Sequence, residues 1–172
     1  INIELVMPSS VYGLIQGTFP IGLIAGALLV EKITSRLSLK RLVFISMTAV
    51  AVLVSLLGVP ALLPIGNEVV TIGYLITIAI AMGVVITFID VPTMTYMQTE
   101  VEERYRGRVM SIRISLVKIV NPIAFIFSGM LIGRIQTGYL MIGSGLIFIL
   151  YLIISKRSFL GDNREERIRQ IS

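Results

Sequence analysis

Asp90 and Lys118, with the charges that lie between them, are the residues whose chemistry departs most from their surroundings. In residues 83–122, GVVITFIDVPTMTYMQTEVEERYRGRVMSIRISLVKIVNP, two apolar runs flank one charged connection, TEVEERYRGR. Asp90 lies ten residues before Glu100, and Lys118 ten after Arg108. At about 1.5 Å per helical residue both stand roughly 15 Å from the connection, near the middle of a hydrocarbon core about 30 Å thick. Opposite charges at equal depth in neighbouring helices predict a buried ion pair. Ionisable side chains at that depth are costly and usually mark an ion or substrate pathway, and a carboxyl so placed is suited to exchanging a proton. The competing reading is a permanent pair that ties two helices together. Lys118 has its own alternative, because its long stem can carry the ammonium towards the membrane surface.

Other polar groups are placed by the same reasoning. Arg113 is only five residues beyond Arg108 and reads as an anchor at the interface. Arg106 and Arg108 are expected to pair with Glu100, Glu102 or Glu103, or to hold lipid phosphate, and to serve as a latch in a cytoplasmic gating loop. Asn121-Pro122 interrupts the backbone ladder and is read as a hinge, a polar lining or an ordinary kink. Gln16 lines a pathway or bonds two helices. Met94, Tyr96 and Met97 offer a pliable apolar surface or simply pack at the interface. Enzymatic readings lack parts. Gly143-Ser144-Gly145 has no histidine to activate its serine, Asp90 has no second membrane carboxylate, and no GxxxxGK[ST] loop occurs. With neither histidine nor cysteine, no metal or cofactor is expected.

The elements that position these groups are membrane helices. Hydrophobic residues make up 55% of the chain, and its mean hydropathy is +0.92. Ordinary soluble domains hold about 45–50% apolar residues. The apolar blocks predict an all-α polytopic bundle, a single transmembrane domain over 1–172, with spans near 11–30, 42–64, 69–97, 109–133 and 138–155. Residues 156–172 form a charged tail. The first span has Gly13, Gly17, Gly22 and Gly26, and the fourth has Gly129 and Gly133, pairs spaced for close helix packing. The second, without charge, reads as a peripheral, lipid-facing helix.

Orientation follows from charge. Lys and Arg number four in 31–41, five from the third connection into the fourth span, and five in the tail, against Arg134 alone on the other side. That asymmetry predicts an external start and a cytoplasmic C-terminus. The basic residues gather at segment ends and form no stripe with stacking aromatics, so nucleic acid is not an expected partner. The chain opens Ile-Asn-Ile-Glu, and five spans are read as a six-helix half whose N-terminal part is missing.

The stretch DVPTMTYMQTEVEERYRGRVMSIR, Asp90 to Arg113, resembles the major facilitator superfamily, in particular the link between the tenth and eleventh helices of drug-efflux members of the macrolide-exporter type. GALLVEKITSRLSLKR resembles that family's eighth helix and the loop after it. This loop departs from the family's Gly-x3-Asp-Arg-x-Gly-Arg-Arg pattern, since Glu31 is displaced and no glycine lies between it and Arg41. The resemblance implies helices eight to twelve of a secondary transporter that exports a hydrophobic or amphipathic small molecule in exchange for protons, by alternating access. Its partners are then the substrate, protons, the lipid bilayer and its own N-terminal half, in the plasma (inner) membrane of a bacterium. The alternative is a non-transporting subunit or assembly factor that docks through the glycine faces and the basic tail.

Overall fold

The computed structural model describes residues 9–35, 37–63, 66–132 and 134–160. Among these the regular structure is helical throughout: α1 Ser9–Thr34, α2 Leu39–Leu57, α3 Val59–Leu62, α4 Glu68–Glu100, α5 Glu103–Ile132 and α6 Thr137–Leu160. Five units are long and apolar enough to cross a membrane, with α2 and α3 together forming one, Leu39–Leu62. A continuous helix satisfies its own amides and carbonyls, which lipid cannot do. The protein is therefore a polytopic, all-α membrane bundle. Gly133, residues 1–8 and the tail from 161 onward lie outside the described residues.

Local sequence sets the breaks. Gly58 closes α2, its amide donating to the Ser55 carbonyl over 3.1 Å, and Pro60 opens the single turn of α3. Gly66 turns the chain towards α4 with φ +59°, a left-handed conformation that a residue without Cβ adopts at little cost. Asn67 then precedes α4 in extended geometry. At 33 residues α4 spans about 50 Å, well beyond the roughly 30 Å of a hydrocarbon core. Its last turns and the first turns of α5 therefore carry the charged sequence as helix. Only Val101 and Glu102 separate the two.

Small residues build the packing. On α1, Gly22, Gly26 and Val30 form one i, i+4, i+8 stripe, and all three are buried. Gly22 lies against the Ile80 carbonyl and Gly83 of α4, and a Cβ at Gly26 would stand 2.8 Å from that of Thr87. Thr87 Oγ1 shares its hydrogen between the Gly83 carbonyl of its own helix, at 3.0 Å, and the Leu23 carbonyl of α1, at 3.3 Å. The pairing of 22 with 80 and 26 with 87 means that α1 and α4 run parallel. On α6, Gly138, Gly145 and Leu152 recur every seven residues and are buried. Gly138 meets Gly58 and Ala61, while Gly145 meets Ala51 and Ser55, so α6 runs antiparallel to α2. Tyr74 of α4 donates to the Leu56 carbonyl over 2.9 Å.

Two placements differ from the sequence expectation. α2 is not peripheral, because it packs on both α4 and α6 and buries Leu42, Ser46 and Ala51. The absence of charge beyond Arg41 reflects close helix contacts through small side chains. α5 is the outlying helix, touching α6 only slightly and burying none of its most apolar stretch. Gly107 and Gly129 on α5 have open space where a Cβ would be, and no small-residue face draws a neighbour in.

Candidate functional site

The helix boundary at Glu103 decides which cation meets Asp90. In an antiparallel pair about a short turn, residues equally far from the turn stand at equal height. Asp90 is ten residues before the end of α4 at Glu100, and Arg113 is ten residues after the start of α5 at Glu103. The Arg113 guanidinium accordingly donates to Asp90 Oδ1, at 3.4 Å. Lys118 stands five residues, about 7.5 Å, farther along. The expected Asp90–Lys118 pair is thus replaced by Asp90–Arg113. The residues RYRGR form the first turns of a helix rather than a connection, so the height of a residue on α5 is counted from Glu103 and not from Arg108.

The pair is also not buried. The Asp90 side chain is 59% exposed and that of Arg113 is 32%. The contact is long and uses one nitrogen, unlike the bidentate fork that makes arginine–carboxylate pairs strong. Around it lies a cavity of about 500 Å³ between α4 and α5, lined by Asp90, Met94, Met110, Arg113, Val117 and Lys118, with Ile114. Its chemistry is one carboxylate, two cations and a soft apolar wall. Among the described residues, no carboxylate stands within ion-pairing distance of Lys118. Pro122 has no amide hydrogen to give the carbonyl of Lys118, four residues before it, so that oxygen lacks its usual helical donor.

The remaining sequence candidates lie elsewhere. Gln16 Nε2 donates to the Tyr12 hydroxyl one turn earlier on α1, over 3.0 Å, and does not line the cavity. Asn121 is exposed on α5, also off the cavity wall. Arg106 and Arg108 make no ion pair with Glu100, Glu102 or Glu103 among the described residues. Instead Arg106 Nε donates to the Val101 carbonyl over 2.9 Å, and the Glu102 carbonyl accepts from the Tyr105 and Arg106 amides, which clips the turn shut. Gly13, Gly17 and Gly129 have open space, in contrast to Gly22 and Gly26. Ser144 Oγ donates to the Met141 carbonyl of its own helix.

Sequence reasoning did not single out Met110, Ile114 and Val117, which share the cavity wall with Arg113 and Lys118. Their spacing on a helix that begins at Glu103 is the signal that carries them. A second cavity, about 420 Å³, lies between the end of α1 and α4, with Glu31, Pro92 and Tyr96 among its walls. Its threonines bond their own helices, Thr34 to Val30 and Thr95 to Val91, and so offer few free donors.

Five membrane-length helices with deep charges in one cavity match what comparison of the whole sequence finds: a profile of the Major Facilitator Superfamily fits residues 1–170. The chain belongs to that superfamily. Comparison with curated proteins and with solved structures gave no match. As a major facilitator chain it is a multi-pass membrane transporter of small molecules.

Proposed function

We propose that this chain is part of a proton-driven exporter of hydrophobic or amphipathic small molecules, and that it supplies helices eight to twelve of the C-terminal half. The observation that supports this reading is Asp90, a carboxylate within a membrane helix, held by one long contact to a cation on the least-packed helix of the bundle. A proton on Asp90 cancels the charge that holds Arg113. Within this chain little else ties α5 to α4, so losing this contact frees α5 to shift against α4. Coupling a proton to such a shift is the requirement of alternating access. Met94 and Met110 supply flexible, polarisable side chains able to fit substrates of varied shape. The N-terminal half would complete the pathway, with the C-terminus in the cytoplasm and the bundle in the plasma membrane.

The test is proton-driven dye efflux by the native polypeptide in sealed vesicles. Asp90→Asn is expected to abolish pH-gradient-driven efflux while the protein level in the membrane holds. Full gradient-driven efflux by that variant overturns the reading.

A further inference from the structure

We propose that the α4–α5 cavity takes amphipathic organic anions, with Lys118 as the counter-charge of the bound acid group. This rests on the reading of that cavity as the transport site. The argument is one of charge. Between their charged ends, the described membrane helices carry three ionisable acid or base groups, Asp90, Arg113 and Lys118, and all three line the cavity. Arg113 is engaged by Asp90. Lys118 therefore stands as an excess positive charge, with fourteen uncharged residues, 119–132, following it on α5. A cation in such a setting is stabilised by an anion that arrives with the ligand.

The geometry narrows the ligand further. Lys118 and Arg113 are separated along α5 by Ile114 and Val117, which also line the cavity, and Met94 and Met110 complete an apolar wall. A ligand with an acid group at Lys118 can lay an apolar body along that wall. The volume, about 500 Å³, falls among those of small-molecule sites, about 300–1,000 Å³. A cationic body of the same size would meet the positive charge of Lys118, and the one carboxylate of the cavity already bonds Arg113.

The experiment uses the complete native polypeptide, purified in detergent, and three probes that share one aromatic body: 1-naphthylacetate, 1-naphthylacetamide and 1-naphthylmethylammonium. Calorimetric titration is expected to show the acetate binding roughly ten- to a hundredfold tighter than either of the others, the worth of one charge-assisted hydrogen bond. Lys118→Met is expected to erase that preference and Lys118→Arg to keep it. Equal binding of the three probes, preference for the ammonium, or an acetate preference that survives Lys118→Met in a monodisperse protein each overturns the proposal. If Lys118→Met fails to fold, the unaltered protein and Lys118→Arg still decide through the probe order. Vesicle efflux separates the two readings. Lysine-dependent anion binding without proton-driven efflux overturns the export reading alone, and proton-driven efflux of the ammonium probe without acetate binding overturns this proposal alone.

Discussion

α1 and α5 both flank α4 and are equally apolar by their best membrane-length stretches, yet their fates in the bundle are opposite. α1 brings Gly22 and Gly26 into backbone contact with α4, where Gly83 and Thr87 receive them. α5 offers Gly107 and Gly129 to open space and reaches α4 through a two-residue turn and one long ion pair. Hydrophobicity does not separate the two, because lipid is as apolar as either helix. Close backbone approach does. The difference divides the molecule into a tightly packed α1–α4–α2–α6 body and a loosely attached α5, and the charged groups sit at the seam.

The sharpest way to break this comparison is to fill glycines on both sides of it. A Cβ at Gly83 would stand 2.5 Å from the Phe19 carbonyl oxygen and 2.8 Å from the Leu23 nitrogen. Gly83→Leu is therefore expected to cost about 3 kcal/mol, read as a shifted unfolding midpoint in micelles, whereas Gly129→Leu costs less than about 0.5 kcal/mol. Equal losses at both positions would mean that α5 is as closely covered as α1. At the α2–α6 contact, Gly145→Val places carbon 2.6 Å from the Ala51 carbonyl oxygen, and a loss of about 2 kcal/mol is expected by the same measurement. Its neighbour Gly143 faces open space, and Gly143→Val is expected to be nearly silent.

Smaller effects sharpen the picture. Thr87→Val removes the hydroxyl shared between Gly83 of its own helix and Leu23 across the α1–α4 contact, and is expected to cost no more than about 0.6 kcal/mol, a typical interhelical bond in a membrane. Thr95→Val, whose hydroxyl bonds only its own helix at Val91, should leave stability unchanged. Arg113→Gln is expected to lower stability by no more than about 0.5 kcal/mol, because an exposed pair contributes little. A loss several times larger would make the Asp90–Arg113 pair a structural tie and weaken its role in coupling.

The sequence shows the membrane helices plainly, since long apolar runs have few other solutions. Partners are harder to read. The pairs Gly13–Gly17 and Gly22–Gly26 have the same spacing, and nothing local says that only the second meets another helix. The span 42–64 looks lipid-facing because it has no charge, yet Ser46, Ala51 and Ser55 within it are the means by which α2 packs. A cluster of charge between two apolar runs reads as a loop, and that reading points to Lys118 instead of Arg113. Glu and Arg are good helix formers, so α5 begins at Glu103 and the register moves by more than a turn. The seven-residue recurrence of Gly138, Gly145 and Leu152 was the readable sign of the α6 contact.

The Gly22–Gly83 contact also sets a waiting time during synthesis. The two residues are sixty-one positions apart, and α2 lies between them in the chain. At about 5–20 residues per second, the ribosome needs roughly 3–12 s to reach Gly83 after Gly22 has been made. For that interval the glycine face of α1 stands in the bilayer without its partner, long compared with the microseconds in which membrane-length helices form.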